Sequence, residues 1–146
     1  MIKEIWKRIP GHPDYEASNL GRVRSLDKTV VQEAKNNSVS THTYRGNLLK
    51  PQAHKNGYLF VTIDKKQKSI HRIICETFIP NTENKKYVNH KDGNKGNNSV
   101  DNLEWCTASE NMLHASQQGL LKYHRNDLRK HIEMLLKKPK RKTKSQ

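Results

Sequence analysis

Apolar and polar positions alternate from the start of the chain: Glu4-Ile5-Trp6-Lys7-Arg8-Ile9 reads as a strand, stopped by Pro10-Gly11-His12-Pro13. Tyr15-Glu16 opens a second short piece and Ser18-Asn19-Leu20-Gly21 is a turn. Arg22-Val23-Arg24-Ser25-Leu26 alternates again, with both arginines on one face. Residues 27–43 show little periodicity and read as a loop or loose hairpin, and residues 45–50 as one more strand before Pro51. The β-rich run 58–63 is followed by a turn over Asp64-Lys65-Lys66-Gln67. Ile70, Ile73, Ile74 and Phe78 then fall at helical spacing behind Ser69, a residue suited to an N-cap, and the helix ends before Pro80.

The most informative stretch runs from Tyr87 to Ala115. Val88-Asn89-His90 is a short strand, residues 91–102 form a loop dense in Asn, Gly and Asp, and residues 103–107 return as a second strand. Thr107 and Glu110 have the spacing of a capping box, which starts a helix and sets its phase. Asn111 and His114, three apart, therefore share one helical face. Gly119 reads as the stop of this helix. A further helix is expected from about Asp127, striped by Leu128, Ile132, Leu135 and Leu136 and ended by Pro139, followed by a basic tail.

Composition narrows the function classes. Only 32% of the 146 residues are apolar and 6% aromatic, which predicts small subdomains in an extended molecule. The net charge is +14, and removing the last ten residues, with six Lys/Arg and no acid, leaves 22 basic against 14 acidic residues, still +8. The excess belongs to the body of the chain, so a polyanion is the expected partner, with nucleic acid ahead of membrane. No apolar run approaches the ~20 residues needed to span a bilayer. The two cysteines, Cys75 and Cys106, lack a C-x-x-C pair and read as buried thiols of a reducing compartment, here the cytoplasm, and not as half of a four-ligand zinc site.

The ordered set Val88-Asn89-His90-Lys91-Asp92-Gly93-Asn94-Lys95, Asn97-Asn98, Asp101-Asn102-Leu103-Glu104-Trp105 and Ser109-Glu110-Asn111 resembles the H-N-H nuclease motif, in the form found in phage- and intron-associated homing endonucleases. His71-Arg72 and Phe78-Ile79-Pro80 match what usually precedes that motif. Trp6-Lys7, Tyr15-Glu16, Ser18-Asn19 and Gly21-Arg22-Val23-Arg24-Ser25 resemble a small N-terminal module often fused to it. The resemblance implies an α+β fold: an antiparallel β-rich lobe (1–52), a ββα-metal nuclease domain (53–119, motif 87–115), and a C-terminal helix with basic tail (120–146). It implies that His90 is the general base and Asn102 the asparagine that pins the loop and orients it. Asn89 and Asn111 would be the ligands of Mg²⁺, with Mn²⁺ as substitute. Many relatives carry aspartate where this chain has Asn89, although an Asn-His version also occurs in this branch.

The chemistry agrees with that mapping. Phosphodiester hydrolysis needs a base, for which an imidazole of ordinary pKa ~6.5 serves, and a cation to neutralise charge on the phosphate oxygens. Two neutral amides bring no charge, so weak Mg²⁺ binding is expected until a scissile phosphate completes the site. Three readings of His114 stay open: a metal contact, a phosphate contact, or packing under the hairpin. His71 reads as a packing histidine and Asp92 as the start of an Asx-turn. Arg22 and Arg24 are either a solvated sheet face or phosphate contacts; Arg72, Lys91 and Lys95 join them as candidate contacts to double-stranded DNA. The expected activity is an endonuclease or nickase leaving 5′-phosphate and 3′-hydroxyl ends, a monomer nicking and a dimer cutting both strands. The alternatives are a catalytically inactive DNA binder on the same fold and, more weakly, an RNA-binding basic protein, for which the chain lacks an aromatic stacking platform.

Overall fold

In the computed structural model, residues 1–119 are described. The expected helix from Asp127 and the basic tail lie outside the described residues. Three antiparallel strands open the chain in the order β1 (Trp6–Ile9), β2 (His12–Ser18) and β3 (Val23–Ser25). The predicted stop at residues 10–13 is shorter in the structure: Gly11, at φ 77°, makes a tight turn and the strand resumes at His12. Pro13 is tolerated there because β1 pairs through Ile9 with His12 and β3 pairs only with Tyr15–Ala17, so no ladder bond needs its missing N–H.

Residues 27–43 are more regular than their composition predicts. β4 (Lys28–Glu33) and β5 (Val39–Tyr44) form a continuous six-pair hairpin. Nearly all its residues are exposed, so it shows no apolar alternation to betray it. Residues 45–50 form no strand. They run beside β3, joined by one Arg24–Leu48 bridge and by the Leu49 N–H to the Val23 carbonyl at 2.9 Å.

A second antiparallel sheet follows in the order β6 (Gln52–Ala53), β7 (Leu59–Ile63) and β8 (Lys66–Ser69). The four-residue turn predicted over 64–67 shrinks to Asp64-Lys65, both at positive φ (48° and 64°), as a two-residue hairpin requires. Helix α1 (Ile70–Phe78) begins behind Ser69 as predicted, but the Ser69 hydroxyl makes no cap hydrogen bond, and the residue pairs with Phe60 as the last of β8.

The nuclease-like stretch is a hairpin of β9 (Tyr87–His90) and β10 (Leu103–Cys106), followed by α2 (Ala108–Gln117). One 3-10 turn, Val100–Asn102, leads into β10. The Thr107–Glu110 capping box is present in both directions, and Gly119, at φ 66°, follows the helix end. No residue of α2 is fully buried, so its place depends on its cap and on the contacts it makes with the hairpin.

Among the described residues, the apolar side chains do not divide into separate subdomain cores. Ile9, Ala17 and Val23 from the first sheet, Val61 and Ile63 from the second, Ile70, Ile73 and Ile74 from α1, and Val88 and Leu103 from the hairpin form one cluster. Helix α1 is the common element, packing on β1, β2, β7, β9 and β10. The Trp105 indole N–H fixes the end of that helix by donating to the Ile79 carbonyl at 2.9 Å.

Candidate active site

His90 ends β9 and is 5% exposed. Its Nε2 lies 2.8 Å from Asn98 Oδ1. An amide oxygen only accepts, so Nε2 carries the proton and Nδ1 keeps the lone pair. Two rings flank the imidazole: Tyr58 at 5.9 Å between centroids and His71 at 5.4 Å, the latter edge-on. Burial, then the neighbouring His90 and Arg72, pushes the pKa of His71 down to about 4, so it is neutral near pH 7. Its Nδ1 is buried with no partner among the described residues, and the ring serves as packing under the His90 imidazole.

The loop after His90 is fixed by Asn102. Its Nδ2 donates to Asp92 Oδ1 at 2.9 Å and to the Asn97 carbonyl at 2.8 Å, while its Oδ1 accepts from the Asp92 N–H at 3.0 Å. Its own carbonyl accepts from the Lys91 N–H, closing the base of the loop at 2.8 Å. Asp92 accepts from the Asn94 N–H at 2.8 Å, the Asx-turn predicted from sequence. N–H donors from Asn97, then Asn94 and Asn102, hold its carboxyl below the usual carboxylate range. Asn102 thus pins the loop, while the side chain bonded to the His90 ring is Asn98.

Asn89 is 7% exposed and donates from Nδ2 to Glu104 Oε1 at 2.9 Å, across the strand pair Asn89–Glu104. Its Oδ1 has no hydrogen-bond partner among the described residues. Asn111 lies half-buried on α2, and its side chain likewise makes no such bond. His114 Nε2 meets the Lys91 carbonyl at 3.0 Å, and Gln118 donates to the same oxygen at 2.7 Å, so this face of α2 is tied to the end of β9. A carbonyl only accepts, so His114 donates there. No group of three His, Cys, Asp or Glu side chains is gathered for a metal among the described residues. The side-chain oxygens of Asn89 and Asn111 are amide oxygens, a pair that suits a hard cation such as Mg²⁺ better than zinc.

The candidate DNA-contacting cations all have partners inside the protein. Arg22 pairs with Glu4 and Arg24 with Glu16, and both guanidinium groups lie over the Trp6 ring, at 5.6 and 4.1 Å. Arg72 donates to the Lys86 carbonyl at 2.8 Å and lies 5.6 Å from the Trp105 ring centre. Lys91 reaches the Asp101 carbonyl at 3.3 Å, and Lys95 donates to the Asn56 carbonyl at 2.8 Å while lying over Tyr58. Lys95 thereby staples the loop to the ring beside His90.

The sequence reading did not single out Asn98, one asparagine among several in the loop. Nor did it foresee that the N-terminal turn touches this loop. The Val100 N–H donates to the Asn19 carbonyl at 2.9 Å, and a Cβ on Gly21 would stand 2.8 Å from the Asn98 backbone.

Comparisons with known proteins agree with this architecture. A family profile described as a NUMOD4 motif matches residues 4–64, and one described as HNH endonuclease matches residues 68–113. An uncharacterized HNH endonuclease of Acanthamoeba polyphaga mimivirus is 40% identical over 122 residues, covering 81% of this chain and 27% of that protein. The DNA endonuclease I-HmuI of Bacillus phage SP01 is 32% identical over 121 residues, 80% of this chain and 60% of that protein. The chain thus spans less than two thirds of the length of these curated relatives. A solved structure of the HNH homing endonuclease I-HmuI, described as showing DNA binding and cleavage, superposes with a TM-score of 0.59 at 30% identity, covering 89% of this chain and 68% of that one. With a mixed α+β fold, the ββα hairpin in place and these relatives, the chain belongs to the HNH endonuclease family of homing type.

Proposed function

We propose that this protein hydrolyses phosphodiester bonds in double-stranded DNA with the help of a divalent cation, cutting one strand per binding event. The observation that carries the reading is the buried His90 ring, its Nε2 held by Asn98 and its Nδ1 free to take a proton. In this reading Nδ1 accepts the proton of the attacking water, Asn98 fixes the tautomer, and Tyr58 and His71 fix the ring plane. Asn102 keeps the loop closed around it. Asn89 and Asn111 are the residues that would hold Mg²⁺, with Mn²⁺ as substitute; when bound, the ion neutralises charge on the phosphate oxygens. His114, tied to Lys91, positions α2 against the hairpin.

Grip on DNA comes from the exposed cations. Arg22 and Arg24 on the N-terminal module (1–52), and Arg72, Lys91 and Lys95 in the nuclease domain (53–119), present N–H groups beyond those used internally and serve as phosphate contacts. Residues 120–146 bring further Lys and Arg to the chain. The relative whose solved structure is described as showing DNA binding and cleavage supports this choice of polyanion. Phage and viral relatives support action in the cytoplasm of an infected host.

Supercoiled plasmid incubated with the protein and Mg²⁺ tests the reading. Conversion to open circle bearing 5′-phosphate and 3′-hydroxyl ends, abolished in His90→Ala, is the expected result. Plasmid that stays supercoiled in both Mg²⁺ and Mn²⁺ while binding the protein would make it an inactive binder.

A further inference from the structure

We propose that Glu104 is the anionic member of the cation site, locking the Asn89 amide with its oxygen free and setting a carboxylate beside the ion. The proposal rests on the nuclease reading above and adds the negative charge that two amides do not supply.

Asn89 and Glu104 are directly opposed in the β9–β10 register, so both side chains leave the same face of the hairpin, with Cβ atoms about 5 Å apart. The 2.9 Å bond from Asn89 Nδ2 to Glu104 Oε1 consumes an amide hydrogen and fixes which end of the amide is which. Without that acceptor the buried amide could turn over and present N–H groups, which repel a cation, in place of its oxygen.

The carboxylate stands apart by being half-buried and unpaired. The other half-buried carboxylates among the described residues, Glu4, Asp14 and Glu16, each lie within ion-pair reach of a Lys or Arg. Glu104 does not, among the described residues, although it is half-buried in a protein of net charge +14. The two lysines that line a groove with it are committed elsewhere: Lys85 to Glu83 and Glu110, and Lys91 to the Asp101 carbonyl. A partly desolvated carboxylate without a cation is costly unless something positive compensates it. Its Oε2 has no hydrogen-bond partner among the described residues. A divalent ion held beside Asn89 would be that compensation.

The pair also explains why an amide stands at position 89. An aspartate there would oppose two carboxylates across one strand pair, where like charges are destabilising. The site has room for one negative charge on this pair, on either strand, and here β10 carries it.

Binding of Mn²⁺ to the full chain, followed by the electron paramagnetic resonance signal of unbound Mn²⁺, tests this directly. Glu104→Gln keeps an acceptor for the Asn89 amide but removes the charge, and should weaken Mn²⁺ binding about tenfold, since ligand charge sets affinity at such sites. Glu104→Ala should weaken it at least as much. The double variant Asn89→Asp/Glu104→Gln moves the carboxylate across the pair and should recover wild-type affinity to within about threefold. The Mn²⁺ concentration giving half-maximal plasmid nicking should shift by the same factors. Wild-type affinity in both single variants overturns the role of Glu104 and leaves the nuclease reading standing if the wild type still nicks. A loss that the double variant fails to recover assigns Glu104 to the scaffold and overturns the proposal too. A wild type that neither binds Mn²⁺ nor nicks overturns this proposal and the nuclease reading together.

Discussion

At the scale of single residues, two asparagines divide a task that the sequence assigned to one. Asn102 closes the loop through three hydrogen bonds of its side chain, and Asn98 holds the His90 ring. Asn98→Ala removes the bond that selects the tautomer while leaving the loop closure intact. It should lower the single-turnover cleavage rate by about 10- to 100-fold with little change in duplex binding, as a misplaced general base does. An unchanged rate would show that ring packing alone orients His90. Gly21 belongs to the same system from a distance in sequence. It sits at φ 85°, and an added Cβ would lie 2.8 Å from the carbonyl of Asn98. Gly21→Ala therefore carries both a backbone penalty and a push on the residue that holds the His90 ring. It should cost at least about 1 kcal/mol in unfolding free energy and reduce the cleavage rate. A variant that loses stability but keeps the full rate would uncouple the turn from the site.

At the scale of elements, α1 and the hairpin hold the site between them. His71 on α1 lies under His90, and its folded pKa of about 4 stands below the ordinary 6.5 of a histidine. The unfolded chain thus takes up a proton at this position below pH 6.5 that the folded protein refuses until about pH 4. The stability His71 contributes is complete above pH 6.5 and is lost as pH falls toward 4. After discount for partial exposure of the ring the loss is on the order of 1–2 kcal/mol. Urea midpoints measured between pH 7 and 4 should fall by more in the wild type than in His71→Phe; equal slopes would contradict this.

Elements were legible in the sequence where burial imposed a period. Helix α1 announced itself through Ile70, Ile73 and Ile74, all at most 2% exposed, and α2 through its capping box. The β4–β5 hairpin and strand β8 were not, because their largely exposed side chains carry no alternation for a pattern to reveal. At the site, the spacing from His90 to Asn102 and Asn111 pointed to the motif. The partner of each side chain did not follow from spacing. Which asparagine reaches His90 depends on the path of a twelve-residue loop, and the opposition of Glu104 to Asn89 depends on strand register.

At the scale of the whole molecule, a single core among the described residues lets the N-terminal sheet and the nuclease hairpin brace one another around α1. Charge is spread over this frame, so if the chain grips DNA as proposed, salt should govern the binding. The logarithm of the binding constant should fall linearly with the logarithm of salt concentration, at about 0.9 per phosphate contact for duplex DNA. Ending the chain after residue 136 removes six of its 28 Lys/Arg residues and leaves a net charge of +8. The slope should then become shallower but persist. A slope that vanishes would place the whole contact in the last ten residues and leave Arg22, Arg24, Arg72, Lys91 and Lys95 without a role on DNA.

The most direct test of the account is the single-turnover cleavage of a duplex bound at saturating protein, compared between wild type and His90→Ala in Mg²⁺. Saturation removes binding from the comparison, so the rate reports the base alone. A fall of at least about 100-fold with duplex affinity preserved is the predicted result. Cleavage by His90→Ala at the wild-type rate would contradict it, and the free Nδ1 beside Asn98 would then not be the group that activates water.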